Sequence, residues 1–174
     1  MNMVDKKKTE EYGNRKVIEF RENKLKAIIV DIDGTMSLGG GRDPYDYAAS
    51  IDDRVDHRLK HLVRNLIEHT NYHIIFMTGR PNTIENEQVT RQWLNEKVYE
   101  WNLVVKGGLR DSSWSLLMRP RDCNYPDDVV KKHIYETRIK PYMDVVCVFE
   151  DRDCCVEMWR ELGILCCQVY KGDF

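Results

Sequence analysis

"LKAIIVDIDGT", residues 25 to 35, carries an apolar run straight into two aspartates one residue apart. A strand with one wet face alternates apolar and polar residues. Beyond Lys26 this one stays apolar until Asp31, so both of its faces must be covered. Three more short runs share the pattern, at 72–78, 145–150 and 164–169. Between them the apolar spacing becomes helical. Val55, Leu59, Leu62, Val63, Leu66 and Ile67 share a face, as do Val89 with Trp93, Val130 with Ile134, and Val156 with Trp159. Fully apolar strands in alternation with helices predict a doubly wound α/β domain built on a parallel sheet.

A chain of 174 residues with 42% hydrophobic and 32% charged residues suits one such domain with a real core. Residues 1–24 are polar and highly charged, with "KVIEF" as the one candidate for order, and read as a tail or peripheral element; residues 25–174 read as the folded domain. No apolar run approaches the roughly 20 residues of a membrane span, and the N-terminus lacks the apolar core of a signal peptide. The expectation is a soluble, cytoplasmic chain with no membrane association. Six cysteines without a C-x-x-C pair or a partnering histidine motif are expected to be reduced thiols.

A net charge of −2 argues against a protein that coats long stretches of nucleic acid, leaving room for a few local contacts. The stretch "KGGLRDSSWSLLMRPR", 106–121, reads as a loop with four basic side chains against one acidic. Arg110, Trp114 and Arg119 there are candidate nucleic-acid contacts, with Trp114 a candidate for stacking on a base. His57 and His61 point away from the apolar face of their helix, and Trp93, Trp101 and Trp159 fit core positions, so none of these is a site candidate.

What ends each strand points to chemistry. The first ends in Asp31 and Asp33, the second in Thr78-Gly79-Arg80, another in Glu150-Asp151-Arg152. In doubly wound sheets, ligands bind beyond the carboxyl ends of the strands, so these groups should meet in one crevice. "YPDDVVKK", 125–132, starts a helix and sets Lys131 near its first turn, which favours an anion. Carboxylates, a cation and a hydroxyl together suit cleavage of a phosphate ester, with Mg²⁺ on the carboxylates. One aspartate attacks phosphorus while the other, two residues on, protonates the leaving oxygen.

At these residues the chain resembles the haloacid dehalogenase superfamily, whose four motifs are matched by Asp31-Ile-Asp33-Gly-Thr35, Thr78, Lys131 and Glu150-Asp151. "GRDPYD" (41–46), "TGR" (78–80), "DDVVK" (127–131), "DRDCCVEMWRELGI" (151–164) and the final "GDF" are similar to the 3'-phosphatase domains of bacteriophage polynucleotide kinase-phosphatases. The resemblance implies a Rossmann-like parallel sheet, in the haloacid dehalogenase fold, without a large cap domain. It makes Asp31 the nucleophile, Asp33 the general acid and base, and Thr78 and Lys131 the phosphoryl ligands. It puts Mg²⁺ on Asp31, the Asp33 carbonyl and Asp151. Arg42 and Arg80 are expected to contact phosphate, and Asp127 to orient Lys131. Glu150 stands where the family usually has aspartate, with a side chain long enough to sit behind the ion.

No G-x-x-x-x-G-K-[ST] loop occurs, so a 5'-kinase activity is not expected from this chain. The segments between motifs leave space for a small flap only, and an open crevice admits a polymer end. The expected partners are 3'-phosphorylated DNA or RNA ends, with a 2',3'-cyclic phosphate as a further candidate. The alternatives are a phosphatase for a nucleotide or other small phosphomonoester, and an end-binding module without turnover.

Overall fold

The computed structural model describes residues 24–39, 41–99 and 114–172, with 11–12, 15–16 and 20 before them. A two-stranded antiparallel hairpin, β1 (Glu11–Tyr12) and β2 (Arg15–Lys16), precedes the domain. The "KVIEF" run lies, beyond Lys16 and Phe20, outside the described residues.

The domain alternates as its apolar pattern requires: β3 (Leu25–Asp31), α1 (His57–His69), β4 (His73–Pro81), α2 (Ile84–Trp93), β5 (Trp114–Arg119), α3 (Asp127–Ile134), β6 (Met143–Arg152), α4 (Asp153–Glu161) and β7 (Cys166–Gly172). All neighbouring pairs in its sheet are parallel, in the order β5-β4-β3-β6-β7. The chain starts at the middle strand, winds out to β5, then crosses back to β6. The winding reverses between β3 and β6, and that gap at the carboxyl end of the sheet is where doubly wound folds bind ligands.

Covered faces explain the unbroken apolar strands. Along β3, Ala27 and Ile29 enter a core with α3 and α4 that includes Val130, Ile134, Val156 and Trp159. Ile28 and Val30 enter the opposite core with Leu59, Val63 and Trp93 of α1 and α2. Caps set the helix starts: the Asp56 carboxylate accepts from Arg58 N and Leu59 N, and Thr83 Oγ1 accepts from Asn86 N. Leu62, expected on the buried face of α1, is instead 46% exposed; the helix buries Leu59, Lys60 and Val63.

The edge strand β5 was not expected, since it lies inside the basic segment read as a loop. Its inward residues Leu116 and Met118 are buried, and parallel pairing with β4 organises it. Between β3 and α1 the described residues hold one 3-10 turn, Ala48–Asp52, and no larger inserted element. All six cysteines are free thiols, with Cys147, Cys155 and Cys166 buried and Cys154 exposed. No helix among the described residues is long and apolar enough to cross a membrane.

Candidate active site

The carboxyl ends of β3 and β6 bring Asp31, Glu150 and Asp151 together, with one carboxylate oxygen from each within 4.8 Å of the others. Lys131, on the first turns of α3, reaches into this group. Its Nζ donates to Asp31 Oδ1 at 2.7 Å and to Glu150 Oε2 at 2.8 Å, and lies 3.6 Å from Asp127 Oδ2. Burial opposes the Lys131 charge, yet Asp31 and Glu150 outweigh it and hold the ammonium well above its usual range. Burial, then Glu150, and with them Asp151, push the Asp31 carboxyl well above the usual carboxylate range against the pull of Lys131. Asp151 is pushed up to about 6, by burial first and Glu150 second.

Three buried carboxylates face one ammonium, an excess of negative charge that burial makes expensive. Asp31 Oδ2 is also buried with no hydrogen-bond partner, an arrangement protein interiors avoid unless something else fills the role. Both observations fit a divalent cation bound by oxygen donors. The two oxygens of Glu150 are already engaged: Oε2 by Lys131, and Oε1 by the backbone N–H groups of Asp151 (3.3 Å) and Arg152 (3.5 Å). Asp151 Oδ1 accepts from Thr35 Oγ1 at 3.2 Å. Gly34, at φ +85°, keeps the turn close: a Cβ there would sit 2.1 Å from Asp151 Oδ2.

Asp33 lies on the solvent side, its side chain 40% exposed, held by three groups from two segments. Thr78 Oγ1, at the end of β4, donates to Oδ2 at 2.9 Å. Arg80 forks onto the carboxylate, Nη2 to Oδ1 at 2.6 Å and Nε to Oδ2 at 2.9 Å. Arg42 Nη2 stands 3.5 Å from Oδ1. Burial works to raise the Asp33 carboxyl, but the hydrogen bonds and charge of Arg80, with Thr78 and Arg42, outweigh it and hold it below the usual range.

The arginines are expected on phosphate, yet their donors are spent on protein. Arg80 is 1% exposed and its remaining arm donates to Ser50 Oγ (2.8 Å) and Thr90 Oγ1 (3.1 Å). Arg42 pairs with both oxygens of Asp53 at 2.9 Å and donates Nη1 to the carbonyls of Asp43, Pro44 and Asp46. Asp53, absent from the sequence reading, is 2% exposed and also lies 3.6 Å from Arg80. Its only sequence sign is its place in "IDDR", which resembles any polar turn.

Asp127 Oδ1 accepts from Arg119 Nη2 at 2.8 Å, so Arg119, Asp127 and Lys131 form a chain toward Asp31. Arg119 also donates to the carbonyls of Gly79, Cys123 and Tyr125. As a nucleic-acid contact it is thus already occupied. A Cβ on Gly79 would lie 2.6 Å from Asp127 Oδ1, which explains the glycine between Thr78 and Arg80. Trp114 lies away from this cluster at the start of β5, half-buried, edge-on to Phe76 at 5.9 Å and under the Arg91 guanidinium. Arg110 falls outside the described residues.

Comparison with known proteins agrees with this geometry. Residues 25–174 match the family model described as the polynucleotide kinase PNKP phosphatase domain. A protein of Autographa californica nuclear polyhedrosis virus, described as a bifunctional polynucleotide kinase/RNA ligase, is 33% identical over 142 residues, covering 80% of this chain and 18% of that protein. Among solved structures, a chain in the Pnkp1/Rnl/Hen1 RNA repair complex superposes with a TM-score of 0.77 and 29% identity, over 94% of this chain and 48% of that one. A chain of a second Pnkp1/Rnl/Hen1 complex gives 0.76 and 29%, over 91% and 50%. The chain thus spans about half of the solved relatives and under a fifth of the viral one. An α/β domain with this sheet order, this carboxylate and lysine cluster, and this match across residues 25–174 belongs to the family of polynucleotide kinase PNKP phosphatase domains.

Proposed function

We propose that the domain removes the 3'-phosphate from DNA or RNA ends in nucleic-acid repair, passing the phosphoryl group through Asp31. The observation that carries this reading is Asp31 itself: Lys131 pins Oδ1 while the buried Oδ2 accepts no hydrogen bond. An oxygen so oriented is a nucleophile in waiting. The family and the repair setting named for the relatives support a polynucleotide end as substrate.

In the first step Asp31 Oδ2 attacks phosphorus. The bond from phosphorus to the 3' oxygen breaks, and that oxygen takes a proton from Asp33. In the second, water attacks the aspartyl phosphate, Asp33 takes the water proton, and inorganic phosphate leaves with Asp31 restored. The low proton affinity that Arg80 imposes on Asp33 suits the second step. For the first, the arriving phosphate dianion raises the affinity of the nearby carboxyl and so loads it with the proton. Lys131 donates to the phosphoryl oxygens, joined by the Thr78 hydroxyl once protonation of Asp33 releases it from Oδ2. Mg²⁺, held by Asp31, the Asp33 carbonyl and Asp151 when bound, offsets the charge gathered on those oxygens and on the acidic cluster. Glu150 and Asp127 orient Lys131 from behind.

Phosphate release from 3'-phosphorylated oligonucleotides, compared with 3'-mononucleotides and sugar phosphates, tests the reading. We expect a kcat/KM at least tenfold higher for the oligonucleotides; equal or better turnover of the small esters would replace it with a small-molecule phosphatase.

A further inference from the structure

Two tyrosines stand exposed on the connections that carry Arg42 and lead into Asp127, on backbones that arginines of the site hold. Tyr45 is 81% exposed and Tyr125 is 69% exposed. The 43–46 loop is stapled by Arg42, whose Nη1 takes three of its carbonyls while Nη2 faces Asp33 at 3.5 Å. The Tyr125 carbonyl takes Arg119 Nη1 at 2.5 Å, while Nη2 of the same guanidinium holds Asp127. Each tyrosine thus sits on a backbone bound by an arginine that also contacts a group of the site, one on the β3 to α1 connection and one on the β5 to α3 connection. Tyr47, half-buried in the same turn as Tyr45, has a phenol whose acidity burial and then the Asp33 charge reduce.

An aromatic ring left in water on an ordered backbone costs little entropy to dock, and nucleobases stack on such rings whatever their identity. Trp114, the stacking candidate from sequence, is packed against Phe76 and Arg91, which leaves these tyrosines as the exposed aromatics beside the site among the described residues. We infer that Tyr45 and Tyr125 form a stacking rim for the unpaired bases next to the terminal phosphate, making the domain selective for single-stranded or frayed 3' ends. This rests on the polynucleotide reading above. It requires bases free to unstack from their neighbours, so a blunt duplex end is the poorer substrate.

The test uses Tyr45→Ala, Tyr125→Ala and the matching Tyr→Phe variants. Tyr142→Ala is the control, because Tyr142 is as exposed as Tyr125 (69%) but precedes β6, at the amino end of the sheet and away from the crevice at its carboxyl end. Loss of one stack should raise KM for a 3'-phosphorylated single strand by about 5-fold to 100-fold, with kcat held within a factor of about two. The Phe variants and Tyr142→Ala should match the wild type, as should every variant on p-nitrophenyl phosphate. On a strand whose last two nucleotides are abasic, the tyrosine variants and the wild type should converge. Unchanged KM in both alanine variants, an equal loss on the abasic strand, or an equal loss on p-nitrophenyl phosphate overturns the rim and leaves the polynucleotide reading in place. A wild-type protein that turns over p-nitrophenyl phosphate and no oligonucleotide overturns both.

Discussion

Replacing Arg80 with lysine keeps a positive charge in place but removes the fork that holds Asp33. In the structure the guanidinium serves Asp33 through Nε and Nη2 and serves Ser50 and Thr90 through Nη1, all from a position 1% exposed. A lysine has one nitrogen and cannot reach both ends. It retains one bond to Asp33 and loses the second arm, a charge-assisted bond worth about 1.5–3 kcal/mol. If that orientation is expressed in the transition state, kcat falls by about ten- to a hundredfold. The two buried hydroxyls lose a partner each, so stability falls too, by roughly 2 kcal/mol. KM should hold, because every bond removed goes to protein and none to substrate. Steady-state phosphate release beside thermal unfolding measures both quantities. A variant with kcat intact and KM raised tenfold would refute the brace and return Arg80 to the substrate phosphate.

If Asp151 holds Mg²⁺ as proposed, the ion must compete there with protons, because burial and Glu150 push the Asp151 carboxyl up to about 6. A raised value means the proton holds on at higher pH, so ion affinity should weaken as pH falls through about 6, as calorimetric titration will show; affinity flat across that range would contradict it. Asp56 caps α1, and its carboxyl is held well below the usual range by Arg58 against the cost of burial, with Tyr170 and two backbone N–H groups adding to the hold. Its stabilisation is therefore present above the unfolded value, near 3.9, and lost as pH falls toward the folded one. Asp56→Ala should cost about 1–2 kcal/mol at neutral pH in denaturant unfolding, with the gap to wild type closing in acid. Because the net charge is only −2 and the site arginines are spent on protein, an Asp31→Asn protein should bind 3'-phosphorylated strands with shallow salt dependence. At about −0.7 per phosphate the slope of log affinity on log salt should be roughly −1 to −2, and a fluorescence-anisotropy slope near −5 would speak for a longer binding track.

The inner strands were legible because a covered parallel strand announces itself. β3, β4 and β6 are apolar on both faces, and the sheet order shows why: each has a strand on either side. The edges were harder. β7 was placed two residues early, starting at Cys166 rather than Ile164. β5, "WSLLMR", alternates one face toward the core, with Leu116 and Met118 buried and Trp114 and Leu117 half-buried, so it carries half the apolar signal of an inner strand. Basic and glycine-rich neighbours dilute that half further, and no local pattern says that β4 lies alongside.

The same distinction runs through the site. Asp31, Asp33, Thr78, Glu150 and Asp151 could be grouped because each sits at or near a strand end, and Lys131 because it follows a helix start by one turn, so chain position already indicates where each side chain faces. Asp53 could not, since it acts through space. It joins Arg42, from the β3 to α1 connection, and Arg80, from β4, and without it two guanidinium groups would crowd one carboxylate. Like charges brought that close require a shared counter-charge. Two arginines assigned to one phosphate therefore pose a question that the list of catalytic residues leaves open: what keeps them apart before the substrate arrives. Here two carboxylates keep the pair in place, Asp53 from the buried side and Asp33 from the crevice, so the general acid and base we propose is itself part of the brace. In the proposed mechanism the arginines therefore act on the substrate indirectly, by setting the position and proton affinity of Asp33.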